Sequence, residues 1–193
     1  MRFQGWLVGC LVVLCGVLWA PSAEALIRLG GDVRWIPVAV ETMQEEGEEG
    51  YRPGRQLESI GLGGRFLLGF EQFGIGLKAN FSHHAFADPS LSYSQVDLNA
   101  HLRMMIPETR LALFAEAGPV VALNIGGIGY NGTFGLEVDV LGWPLVDLNL
   151  GLAAQYARVP VGAGPSRVRD HEGIRAMVYV GLDFSLMPGG NTR

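Results

Sequence analysis

Residues 96–106 read Val-Asp-Leu-Asn-Ala-His-Leu-Arg-Met-Met-Ile, and the apolar residues fall on every second position. Val96, Leu98, Ala100, Leu102, Met104 and Ile106 share one face of an extended chain, and Asp97, Asn99, His101, Arg103 and Met105 share the other. Side chains alternate across a strand, so this segment is a β-strand with one apolar and one polar face.

The same alternation recurs eight times, over 26–39, 56–70, 73–84, 92–106, 109–124, 130–142, 145–158 and 173–186. Helical periodicity is scarce, and beyond residue 25 no apolar run approaches the 18 or so residues of a membrane-spanning helix. Short connections at Phe70 to Phe73, Pro107-Glu108 and Trp143-Pro144 alternate with longer ones at Val40 to Arg55, Ala85 to Leu91 and Val159 to Glu172, with Ile125 to Gly129 a shorter member of the second set. Two kinds of loop alternating along an even number of strands specify an all-β, eight-stranded, antiparallel up-and-down barrel with two distinct ends.

Composition narrows the class. Of 193 residues, 49% are hydrophobic and only 17% charged, against about 25% charged in an ordinary soluble domain. The net charge of −5 and the lack of a Lys/Arg-rich run argue against nucleic acid as a partner. The first 25 residues have Arg2, an apolar run from Trp6 to Ala20 and a small-x-small site at Ala23-Glu24-Ala25, which reads as a cleaved signal peptide. The lipoprotein-like Leu7-Val8-Gly9-Cys10 lies at the start of the apolar run instead of its end, which favours the export signal over a lipid anchor. Cleavage takes both cysteines, Cys10 and Cys15, and leaves 168 residues: a barrel over 26–186 and a short periplasmic tail over 187–193.

A soluble barrel alternates too, with its polar face outward. Here the apolar faces are long and almost unbroken, as in Ile75, Leu77, Ala79 and Phe81, or Ile174, Ala176, Val178, Val180, Leu182 and Phe184. The polar faces are crowded with small residues such as Gly61, Gly63, Gly135, Gly151 and Gly181, as a narrow interior requires. Aromatic residues gather near the strand ends, Phe70, Phe73 and Phe184 at one rim and Trp35, Phe81 and Tyr156 at the other, in the manner of two interfacial girdles. The last strand holds Tyr179, Gly181, Phe184 and Leu186 in a polar-x-Gly-x-x-aromatic-x-apolar spacing that looks like the C-terminal insertion signal of outer-membrane barrels. With these features the chain resembles the small eight-stranded outer-membrane barrels of the OmpA, OmpX and OmpW kind. The resemblance implies the outer membrane of a Gram-negative bacterium, periplasmic termini, longer loops outside, contact with outer-membrane lipid and lipopolysaccharide, and the barrel assembly machinery as a partner during insertion.

The inward face collects Arg28, Arg34, Arg65, Lys78, Arg103, Arg110 and Arg175 against Asp32, Asp97, Glu116, Glu137, Asp139, Asp147 and Asp183. Isolated buried charges are costly, so matched signs predict a paired network that fills the lumen. Glu41, Glu45, Glu46, Glu48 and Glu49 read as a solvated acidic loop without a calcium-loop spacing. His83 and His84 point to opposite faces and cannot chelate one ion together; no metal or cofactor is expected. Parity places His83 on the lipid-facing side with Ser92, Ser94 and Glu58, the ingredients of nucleophilic hydrolysis. Lipid A deacylases and acyltransferases are small barrels using such groups, although the His-x-Ser spacing of the deacylases is missing. The reading carried forward is a non-enzymatic structural or surface-interaction barrel, its extracellular partner unspecified. A narrow transport or ligand-binding barrel of the OmpW kind is the first alternative, and a lipid A-modifying enzyme the second.

Overall fold

A computed structural model describes residues 26–186 apart from 46–50, 55, 71, 88, 90–91, 124–126, 144 and 161–167. The proposed signal peptide and the tail over 187–193 lie outside the described residues. So do Glu46, Glu48 and Glu49 of the acidic run.

Nine strand segments run in chain order: β1 (Leu26–Glu45), β2 (Tyr51–Gly54), β3 (Gln56–Gly69), β4 (Phe73–Phe86), β5 (Tyr93–Met105), β6 (Leu111–Ala122), β7 (Gly127–Gly142), β8 (Val146–Pro160) and β9 (Val168–Ser185). β2 continues the stave of β3, since both pair with β1 in one register, Ile36↔Ser59 leading on to Glu41↔Gly54. The eight staves pair antiparallel with their chain neighbours, and β1 pairs with β9 to close the cylinder. Closure leaves few free edges, which is how a sheet can sit in lipid without unpaired backbone groups.

The register circuit Leu29↔Phe66↔Leu77↔Ala100↔Ala117↔Gly132↔Tyr156↔Ile174↔Val40 returns to β1 eleven residues above its start. That stagger tilts the strands by about 35–45° to the axis. It also brings residues far apart in sequence to one height in the lumen. Proline marks two irregularities in the wall. Pro37 sits in the bulge between Trp35 and Val38 on β1, and Pro119, lacking a donor, coincides with the gap in the β5–β6 register between Asp97↔Val120 and Ala100↔Ala117.

The two longest connections are shorter than the sequence expectation. The first long connection is mostly strand: β1 runs to Glu45 and β2 pairs with it as a raised hairpin. The reason is Glu41, which the bulge at Pro37 turns from the outward to the inward side of β1 and which is buried against β9, so the strand continues past Val40. The final connection is likewise shortened, with β8 reaching Pro160 and β9 starting at Val168.

The alternation resolves as one apolar exterior and one polar interior. Val33, Leu62, Leu77, Leu98, Leu152, Ile174 and Val180 are exposed on the outside, while Arg34, Arg65, Lys78, Asn99, Glu137 and Arg175 are buried within. Among the described residues no helix is long and apolar enough to cross a membrane. The exterior is the surface a bilayer requires, with apolar side chains at every level between aromatic rims, and the protein is a transmembrane β-barrel.

Candidate functional site

The inward parity of each stave builds two connected polar networks, one around the middle of the lumen and one near the end opposite the chain termini. Arg65 on β3 is the hub of the first. Its Nε donates to Asp183 Oδ1 (2.7 Å), its Nη2 also reaches Asp183, and its Nη1 donates to Glu137 Oε2 (2.7 Å). Glu137 is further held by Arg103 Nε (2.8 Å) and by the Tyr179 hydroxyl (2.7 Å), and Arg103 continues to Asp139 (2.9 Å). Above this, Lys78 Nζ lies 3.0 Å from both Asp32 and Glu116, with its charge 5.2 Å from the Tyr179 ring centroid and 5.7 Å from that of Phe114. Arg34 donates to Asp32 Oδ1 (2.7 Å) and to Asn80, and His101 Nδ1 lies 3.1 Å from Glu116.

The second network is a closed ring. Arg175 Nε donates to Glu41 Oε1 (2.6 Å), and Arg175 Nη2 donates to the Tyr93 oxygen (2.6 Å). The Tyr93 hydroxyl lies 3.0 Å from His171 Nδ1, and His171 Nε2 lies 2.7 Å from Glu41 Oε2. His171 thus bridges Tyr93 and Glu41 through its two ring nitrogens, and the ring of contacts closes back on Arg175. Arg175 Nη1 also reaches Gln95, Gln155 and His84. Phe86, Val120, Ala122 and Val159 form a buried apolar cluster with Tyr93 of the ring, Phe86 lying against both Tyr93 and His171, and His84 is stacked on Tyr93 at 4.9 Å. Charges removed from water are tolerated only when geometry and further hydrogen bonds compensate; the charged groups of both networks are paired, while Asn80 Nδ2 and His101 Nε2 in the first are buried without a hydrogen-bond partner.

Glycine makes the room for these side chains. A Cβ on Gly151 would lie 2.1 Å from the Tyr179 ring, and one on Gly135 would lie 2.3 Å from that of Phe114.

Of the residues expected in the lumen, Asp32, Arg34, Arg65, Lys78, Asp97, Arg103, Glu116, Glu137, Arg175 and Asp183 are buried there. Arg28, Asp139 and Asp147 are half-buried at the terminal mouth. Arg110 is a correction: it is exposed in the turn before β6 and donates to the Val140 carbonyl (3.3 Å). The strand starts only at Leu111, so inward parity does not extend to it. Glu41 is the opposite correction, a residue assigned to a solvated loop that is fully buried in the ring. Tyr93, His84 and His171 were absent from the expected network; inward parity on β4, β5 and β9 was the available signal, and the long stagger that unites them was not.

No protein-family model matches the chain, and no curated protein does. Solved structures do match. The outer membrane protein OprG from Pseudomonas aeruginosa is 12% identical with a TM-score of 0.48, covering 85% of this chain and 96% of its own. Neisserial surface protein A is 14% identical with a TM-score of 0.45, over 83% of this chain and 98% of its own. The Yersinia pestis outer membrane protein Ail is 12% identical with a TM-score of 0.40, over 81% and 99%. The closed eight-strand antiparallel wall is what this chain has in common with them.

On the outer wall, Trp35, Phe81 and Phe184 are exposed, while Phe70, Phe73 and Tyr156 are half-buried. On β9, Phe184 faces outward, and Leu186 is exposed just past the strand's end, whereas Tyr179 and Gly181 face the lumen, Tyr179 in the Glu137 network and Gly181 against Asn149. His83 is exposed on the outer wall, and its Nδ1 lies 3.0 Å from Ser94 Oγ. Ser92 Oγ instead accepts from the Phe86 amide (3.1 Å), and the Glu58 side chain lies outside the described residues. Among the described residues no group of three or more His, Cys, Asp or Glu is arranged to hold a metal ion.

Proposed function

We propose that this chain is an integral outer-membrane barrel of a Gram-negative envelope, a rigid wall that holds its longer hairpins at the cell surface and whose filled lumen has a structural role. The observation that carries this reading is the combination of an apolar exterior with two buried networks of paired charges where a pore would have to run. Eight staves leave an interior only about wide enough for side chains, and Arg65 and Arg175 span it at two levels. In this reading the termini are periplasmic and the raised β1–β2 hairpin is outside. Lipid and lipopolysaccharide surround the wall, and the barrel assembly machinery engages the end of the last strand through outward Phe184 and exposed Leu186.

Reconstitution into planar bilayers tests the filled lumen. A silent membrane, together with a mobility on unboiled gels that differs from that of the boiled chain, is the expected result. Steady conductance steps from the wild-type protein would replace the structural role with a narrow transport barrel. Protease cleavage within residues 46–50 on intact cells tests the orientation, and protection there would reverse it.

A further inference from the structure

The lipid-facing wall carries a nucleophile and a base in contact. His83 on β4 and Ser94 on β5 are register partners, and Ser94 Oγ lies 3.0 Å from His83 Nδ1. Of the four histidines, His84, His101 and His171 are buried in the lumen, and His83 alone is exposed on the wall. The pair belongs to neither lumenal network.

Its level on the wall has a chemical meaning. The outward series on β4 is Phe73, Ile75, Leu77, Ala79 and Phe81, an apolar run bounded by an aromatic residue at each end, and His83 is the next outward residue beyond Phe81. Two residues along a tilted strand rise about 5 Å. That sets His83 and Ser94 just past the aromatic belt, at the boundary between hydrocarbon and headgroups, where the acyl esters of a lipid lie. Beside the pair, Ile60, Phe81 and Leu123 are exposed apolar surface against which an acyl chain can lie.

We propose that Ser94 and His83 form a nucleophile and general-base pair that hydrolyses an acyl ester of a membrane lipid at this rim. Ser94 Oγ attacks the ester carbonyl carbon while its proton passes to His83 Nδ1. The carbon–oxygen bond to the lipid alcohol breaks, His83 returns the proton to that alcohol, and the acyl group remains on Ser94 as an ester. A water molecule, deprotonated by His83, then attacks this ester. Its products are the free fatty acid and the restored serine hydroxyl, so one ester and one water give one alcohol and one acid.

The reading goes beyond the structural role and is tested in detergent micelles, where it does not depend on which membrane the protein occupies. The purified full-length chain is treated with a fluorophosphonate probe, and the modified peptide is located by mass. An adduct on Ser94, lost in Ser94→Ala and formed about 100-fold or more slowly in His83→Ala, is the expected result. Both positions are on the outer wall, and gel mobility before and after boiling reports that each variant is folded. Phospholipid vesicles and lipopolysaccharide vesicles are then supplied separately, and released fatty acid identifies which lipid carries the ester. Absence of a Ser94 adduct on the wild-type chain, fatty-acid release from neither lipid, or equal release by wild type and Ser94→Ala would overturn the proposal.

Discussion

Replacing Arg65 with alanine removes the cation on which the central network converges. Arg65 is buried, and its guanidinium satisfies both Asp183 and Glu137. Its loss leaves Asp183 with the Asn149 amide (3.2 Å), and Glu137 with Arg103 and Tyr179. Breaking a buried ion pair from one side costs about 3–5 kcal/mol, because the remaining charge keeps its desolvation penalty. Taking about 4 kcal/mol and a urea dependence of about 2 kcal/mol per molar, the unfolding midpoint falls by about 2 M. The assay is urea titration of the barrel in lipid vesicles, followed by tryptophan fluorescence, since Trp35 is exposed on the wall and Trp143 in the turn between β7 and β8. The companion variant Arg65→Ala/Glu137→Gln/Asp183→Asn removes the stranded charges and is expected to recover more than half of the loss. A loss below about 1 kcal/mol for the single variant, or a triple variant weaker than the single one, would show that the lumenal charges are solvated individually and that the network reasoning is wrong.

Leu77→Arg and Ile128→Arg separate membrane burial from mere exposure, because the two leucine and isoleucine side chains are 67% and 71% exposed but lie at different depths. Leu77 is midway between Phe73 and Phe81 and is expected to cost about 2–4 kcal/mol in vesicle refolding, whereas Ile128, beyond Tyr130 toward the loop, costs about 0–1; equal costs would contradict the membrane placement. Gly151→Ala forces the Tyr179 ring away from Glu137 and is expected to destabilise by about 1–3 kcal/mol. In a Tyr179→Ala background most of that cost disappears, as a double-mutant cycle by urea titration would show. Arg175→Ala empties the space of a fully buried side chain and leaves Glu41 without its cation, so it is expected to destabilise by about 3–5 kcal/mol in urea titration, while planar bilayers stay silent because the Arg65 network still fills the middle of the lumen.

How far the fold could be read in advance follows from which interactions have a local signature. The strict alternation at 96–106 has a period of two whatever surrounds it, so β5 and its polar inner face were legible from the residues alone. Arg110 shows where parity fails: alternation says nothing of where a strand begins, and the Pro107-Glu108 turn, with Glu108 at a positive φ of 62°, still holds the chain at that point. Glu41 shows a second failure. In sequence it opens a run of acidic residues that reads as solvated, and only its register with β9, where Arg175 and His171 lie more than 120 positions away, makes it an interior anion.

The sequence by itself determined the strand number, the alternation of short and long connections, the apolar exterior and the charged interior, because each depends on spacing along one strand or on composition. The tertiary structure decided which charges meet, that Tyr93, His171, Glu41 and Arg175 close into a ring, and that His83 touches Ser94 outside. Those contacts depend on register and on the stagger accumulated around the cylinder. A shift of one residue in a single stave would reassign the partners at every level while leaving the alternating pattern within the other strands unchanged.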